Sequence, residues 1–116
     1  MIRRIACALL AAALATPLVA AAETWSNVAL VDQGCATKEK VAANPDSHTR
    51  DCGLQCAKNG FGVFTADGKY LKLDADGSKK ALDALKASAQ KDHLRVNVTG
   101  TLADGVVHVQ TLEMAH

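Results

Sequence analysis

Cys35, His48, Cys52 and Cys56 lie in one stretch of the 116-residue chain, and they are side chains that cross-link, ligate soft metals or act as thiol and base. If residues 48–56 are helical, His48, Cys52 and Cys56 fall at i, i+4 and i+8 and share a face. Neighbours on such a face have Cβ atoms about 5–6 Å apart, whereas a disulfide needs about 3.8 Å. A Cys52–Cys56 bridge inside an intact helix is therefore unfavourable, and the realistic bridges use Cys35. A disulfide from Cys35 to Cys52 or to Cys56 would tie a loop to its helix, stabilise the fold by roughly 3 kcal/mol, and leave one thiol over. Alternatively, Cys35, His48, Cys52 and Cys56 together form a metal set. Three thiolates and one imidazole match a closed zinc site, and soft sulfur also suits copper(I). The spacing C-x12-H-x3-C-x3-C is not a familiar zinc motif, and oxidation competes with metal loading outside the cytosol. A free or intermolecular thiol and a reactive Cys52–His48 pair complete the alternatives. An imidazole does lower a neighbouring thiol's pKa, but the chain has no C-x-x-C motif and no evident group to orient the base. No catalytic residue is assigned, and zinc and copper(I) are the only cofactors these residues suggest.

The compartment bears on that choice. Met1-Ile2-Arg3-Arg4 is positively charged, Ile5 to Val19 is almost wholly apolar, and Ala20-Ala21-Ala22 supplies small side chains for cleavage. This is the pattern of a signal peptide over residues 1–22, with Glu23 as the new N-terminus, and it is short for a bilayer anchor. Ala6 and Cys7 after Arg3-Arg4 fit general secretion better than twin-arginine export. Cys7 precedes the apolar region and is not placed for lipidation. The expected location is periplasmic or secreted, with no membrane association after cleavage. Three of the four cysteines remain in residues 23–116, and an odd number outside the cytosol calls for a metal, a partner or one free thiol.

Around these residues the chain reads as short elements. Trp25–Asp32 is β-prone, and Gln33–Pro45 is polar and loop-like. Ser47 or Thr49 could cap a helix reaching about Asn59, which Gly60 would end in the left-handed conformation. Phe61–Thr65 and Tyr70–Leu73 form a hairpin about Asp67-Gly68. Ser78–Gln90 is rich in helix formers, with Leu82, Leu85 and Ala89 on one face. Leu94, Val96 and Val98 alternate with polar residues in a strand. Asp104-Gly105 then turns the chain into a last strand with Val107 and Val109, and Leu112 breaks the period, which predicts a bulge near Thr111. Five strands and two helices, one of them between the third and fourth strands, give the element order of an OB-fold. The expected architecture is a mainly β, five-stranded antiparallel Greek-key barrel over residues 23–116, with a Cys/His-bearing insertion at about 33–60. An open antiparallel sheet with both helices on one face is the alternative.

Several pieces fit a wider pattern: Asp32-Gln33-Gly34-Cys35, then His48-Thr49-Arg50-Asp51-Cys52 and Cys56 followed by Lys58-Asn59-Gly60, then Asp67-Gly68-Lys69-Tyr70, Leu71-Lys72-Leu73-Asp74 and Val96-Asn97-Val98-Thr99-Gly100-Thr101. On these the chain resembles a group of small exported bacterial OB-fold-like proteins of uncharacterised function. The D-x-x-C … H-x3-C-x3-C part is the distinctive one, and V-x-V-x-G-T is common in small barrels. The resemblance implies export and barrel architecture and carries no activity.

The remaining signals are ordinary. Asp74-Ala75-Asp76-Gly77 resembles a fragment of a calcium loop, but the first ligand position falls on Lys72, so a turn capping the next helix is expected. Asn97-Val98-Thr99 is a chance sequon, and His93, His108 and His116 are surface histidines. Arg95, Asn97, Thr99, His108 and Gln110 make an outer polar face that could bind a ligand. Removing Arg3 and Arg4 leaves the charge near neutral, with no basic stripe and few aromatics, so nucleic acid is disfavoured. The expected function is an exported, non-enzymatic small binding module of unknown ligand, stabilised by a Cys35 disulfide. A metal-binding protein is the alternative and a thiol redox protein the third reading. A small molecule, a metal or a protein remains open as the ligand.

Overall fold

The computed structural model describes residues 21–115. Nearly all of the expected signal peptide, with Cys7, and His116 lie outside them. Five strands follow one another as β1 (Glu23–Asp32), β2 (Phe61–Phe64), β3 (Tyr70–Leu73), β4 (Arg95–Ala103) and β5 (Val106–Met114). They close into a barrel in the order β1-β2-β3-β5-β4, with β4 returning to β1. Four of the five pairings are antiparallel, and β3–β5 is parallel through Lys72↔Val106 and Leu73↔Val107. This corrects the all-antiparallel expectation for a geometric reason. A closed ring with an odd number of strands cannot alternate direction all the way round, so one parallel pair is unavoidable.

Strand parity sorts the side chains. Val28 and Leu30 of β1, Phe61 and Val63 of β2, Leu71 and Leu73 of β3, Val96 and Val98 of β4 and Val107 of β5 all enter one core, joined by Leu94 just before β4 and by Ala81 and Leu85 from a helix. Between Thr99↔Thr111 and Gly100↔Val109 the register slips by one residue of β5. That bulge lies where Leu112 breaks the alternation, and it turns Leu112 and Met114 back towards the core. A second slip between Trp25 and Val28 holds Asn27 at a φ of 54°. Ala29 and Val31 point out of the barrel, yet they are buried in a second cluster with Cys35 and Phe64. The insertion covers that outer face, which is why β1 reads as a continuous apolar run and not as an alternating one.

Among the described residues there are three α-helices, one more than expected: α1 (Glu39–Ala43), α2 (Arg50–Gln55) and α3 (Ala75–Ala87). The extra one, α1, is a single turn of E-K-V-A-A inside the stretch read as polar loop, and Asn44-Pro45 stops it. Helix α2 is shorter than predicted. The Thr49 hydroxyl caps it by accepting the Cys52 amide, and the helix stops before Cys56, which leads into a 3₁₀ turn over Ala57–Asn59. Gly60 does take a positive φ of 80°, but with ψ at 170° it is extended and not left-handed helical, a region that only glycine enters readily. Helix α3 begins three residues before the predicted start, because Asp74 caps it by accepting the Gly77 amide at 2.8 Å. Ala89 lies past its end and is exposed. No described helix is long and apolar enough to cross a membrane.

Candidate functional site

Asp32 ends β1 on the same parity as Val28 and Leu30, so the pleat aims its carboxylate inward, and it is completely buried. A buried carboxylate must be paired or hydrogen-bonded. His48 meets it from the insertion. A 3₁₀ turn over Pro45–Ser47 delivers His48 in extended backbone just before the Thr49 cap, and its Nε2 lies 2.7 Å from Asp32 Oδ1. Because the carboxylate accepts, Nε2 carries the hydrogen. The ring is almost as buried as its partner and packs against Gly53, where an added Cβ would sit 3.4 Å from His48 Cε1 and 3.1 Å from Leu85 Cδ1. His48 Nδ1 has no hydrogen-bond partner among the described residues.

The other oxygen of Asp32 holds the second arm of the site. The Cys35 amide donates to Asp32 Oδ2 at 2.9 Å, and the Cys35 sulfur lies within 4.8 Å of the same carboxylate. Cys56, at the end of α2, brings its sulfur into the same group, so that donor atoms of Asp32, Cys35 and Cys56 all lie within 4.8 Å of one another. Burial, and then the adjacent Asp32 charge, push the Cys35 thiol up to about 11. Tyr70 roofs the neighbourhood. Its hydroxyl donates to the Val31 carbonyl at 2.9 Å, and its ring lies across Gly62, where an added Cβ would come within 2.3 Å of Tyr70 Cζ. Burial, followed by the charges of Asp32 and Cys35, raises the Tyr70 phenol well above its usual range.

Of the four residues expected to act together, Cys35 and Cys56 are neighbours. His48 contacts the group only through Asp32, and Cys52 is exposed. The shared helical face of His48, Cys52 and Cys56 does not form, because Thr49 starts the helix after His48 and the helix has ended by Cys56. The residue to which the sequence reasoning gave no role in the site is Asp32, quoted only as the first position of D-x-x-C. Its signal was present as a charged residue at an inward position closing the run V-A-L-V-D, which demands a buried partner.

The order of groups limits the chemistry. A thiol nucleophile is activated by an adjacent base or a positively charged neighbour, but here the carboxylate stands between Cys35 and His48. The negative charge of a carboxylate disfavours the thiolate, where a positively charged neighbour would favour it. His48 Nε2 is taken by Asp32, and no hydrogen bond joins His48 to Cys52 among the described residues. What the arrangement suits is cross-linking the two sulfurs or binding a cation between sulfur and oxygen.

The outer polar face is largely committed to structure. Arg95 holds Asp46 of the insertion through two bonds, Nε to Oδ1 at 2.8 Å and Nη2 to Oδ2 at 2.7 Å, and also donates to the Asn27 carbonyl. Asn97 accepts the Asn27 amide at the bulge, and Thr99 bonds Thr24 across the strands. His108 and Gln110 remain exposed, as does His93, whose pKa is raised by its bond to Asp92. A more open feature lies at the end of the barrel that carries the β2–β3 turn, and Tyr70 belongs both to the surroundings of Asp32 and to this feature. There Trp25, Tyr70, Leu71 and Leu102, with the Thr65–Lys69 turn and Gly105, line a cleft of about 660 Å³. Comparison with protein-family models, with curated proteins and with solved structures finds no match to this chain.

Proposed function

We propose that this chain is an exported, OB-fold-like, non-enzymatic binding module, with its insertion fastened by a Cys35–Cys56 disulfide and its ligand taken at the hairpin end of the barrel. The OB-like assignment is supported by the ring order β1-β2-β3-β5-β4 with a helix between β3 and β4. The observation that carries the binding role is the unlike character of the two barrel ends. The Asp32 end is filled by His48, Leu85 and Phe61. The other end keeps the cleft with Trp25 half-buried and Leu102 as the exposed large apolar residue. A cleft of about 660 Å³ is within the size range of small-molecule sites.

For the disulfide, support comes from the proximity of Cys35 and Cys56 and the exposure of Cys52. In the exported state the bridge would leave Cys52 as the single titratable thiol, answering the odd cysteine count of residues 23–116.

Two measurements test the reading. Protein secreted by an oxidising host, alkylated without reductant and digested, is expected to yield a Cys35–Cys56 cross-linked peptide and a label on Cys52 alone. Labels on all three cysteines would remove the disulfide from the reading. Trp25 is the chain's one tryptophan, so binding of an apolar fluorescent dye in the cleft should quench its emission, and Leu102→Asp should abolish the quenching. Quenching that survives Leu102→Asp places the binding elsewhere.

A further inference from the structure

We propose that Asp32, Cys35 and Cys56, with both thiols reduced, form a site for one thiophilic divalent cation of the zinc type. This set differs from the three-cysteine-and-histidine set expected from spacing, since Asp32 enters as a ligand, His48 becomes its outer partner and Cys52 is left out.

Three observations carry the inference. The donor atoms converge from three separate segments, the end of β1, the 3₁₀ turn over Cys35–Thr37 and the end of α2, to within 4.8 Å of one another. Ligands around a tetrahedral zinc with bonds of about 2.3 Å lie roughly 3.7 Å apart. Side-chain adjustment on the order of 1 Å would therefore close the set. Second, Asp32 is already oriented. His48 Nε2 at 2.7 Å and the Cys35 amide at 2.9 Å hold its two oxygens, the kind of outer-shell bonding that fixes a metal ligand. Third, Cys35 is buried while Cys56 is half-buried, so the site has a dry side and an entry side.

Charge selects the cation. With both thiols protonated the three side chains carry the single charge of Asp32. Binding a dication breaks two S–H bonds, forms two metal–sulfur bonds and one metal–oxygen bond, and sends two protons to solvent without moving an electron. The buried group ends with the same single negative charge. Copper(I) would leave one more negative charge in a site where charge is costly, and the carboxylate is a harder ligand than copper(I) prefers. The site uses the reduced state of the pair that the disulfide reading joins, so oxidation and metal are alternative closures of the insertion.

The test is titration of the phosphine-reduced protein, freed of reductant under argon, with cobalt(II) alone. One equivalent is expected to bind, with a near-ultraviolet sulfur-to-cobalt charge-transfer band and two protons released to a pH indicator, and zinc should displace it. Cys52→Ser should behave as the wild type. Cys56→Ser, at a half-buried position whose fold is checked by circular dichroism, should lose the band and at least a hundredfold in affinity. Asp32→Asn should lose at least tenfold. Protein oxidised to the Cys35–Cys56 disulfide should bind no cobalt. The proposal is overturned if the reduced wild type shows no band, if the band survives Cys56→Ser, or if Cys52→Ser removes it. None of these results depends on thiol mapping of the secreted protein or on dye binding at the cleft.

Discussion

The barrel and the insertion that wraps it are held by different kinds of force. In the barrel, strand parity buries Leu30, Phe61, Val63, Val96, Val98 and Val107 in one core, and many small apolar contributions add up. The insertion, residues 33–60, buries few large apolar side chains of its own. It is fastened at named polar points: His48 on Asp32, Asp46 on Arg95, and the Arg50 guanidinium on the Leu85 and Lys86 carbonyls at the end of α3. The last of these places a cation against a helix C-terminus, where the exposed carbonyls favour it. A region held by apolar burial tolerates the loss of any one surface contact. A region held at a few points depends on each of them.

The sharpest way to break that contrast is to charge the barrel core. Val96 is fully buried, and Val96→Asp inserts an unpaired carboxylate, so the fold should be lost or destabilised by more than about 4 kcal/mol. Its neighbour gives the control. Asn97 accepts the Asn27 amide through Oδ1, and Asn97→Asp keeps an acceptor there, so its cost should stay within about 0.5 kcal/mol. Urea denaturation of the two variants measures both. Equal losses would mean that the alternation along β4 does not separate inside from outside.

The next largest effect belongs to the insertion's buried anchor. Asp32→Ala removes the acceptor for His48 Nε2 and the Cys35 amide and should cost about 3 kcal/mol, the range for breaking a buried pair from one side. His48→Ala should cost a similar amount, and the double variant should cost clearly less than the two together. A double-mutant cycle in urea reads this coupling. Additive losses would show that the two side chains are held by their surroundings and not by each other.

The same contrast decides what was legible from sequence. The barrel announced itself through a period of two, and even the bulge of β5 was readable, because Leu112 could face the core only if one residue was skipped. That a closed five-stranded ring must contain a parallel pair was also deducible, since five strands cannot all alternate, whereas its place at β3–β5 came from the structure. The insertion offered no such period. Its contacts join residues far apart in sequence through single side chains, as Asp46 joins Arg95 and Asp32 joins His48. Helical spacing from His48 to Cys56 suggested a ridge, but Thr49 is the better cap and fixed the helix start two residues too late for His48 to join it. Cys35 and Cys56 were named as ligands without the carboxylate between them, because Asp32 was read as the end of a strand and its parity was not followed inward.

The smallest effect tests the insertion's outer anchor through pH. The Arg95 guanidinium beside Asp46 holds its carboxyl below the usual value of 3.8. A depressed carboxylate in the folded state contributes stability that is fully present above the unfolded value and is lost as pH falls through the folded one. Both side chains are partly solvent-exposed, at 34% for Arg95 and 24% for Asp46, so screening limits the contribution to about 0.5–1 kcal/mol. Asp46→Asn should lower stability by that amount at neutral pH and by almost nothing at the acid end, so that wild type and variant converge as pH drops below the usual carboxylate value. Urea midpoints from neutral pH down into that range give the comparison. A gap that stays constant would assign the loss to packing and not to charge. Amide exchange adds the spatial readout: faster exchange at His48 and His93, whose amides lie beside the Asp46 turn, with an unchanged Val98, would locate the opening in the insertion while the barrel stays closed.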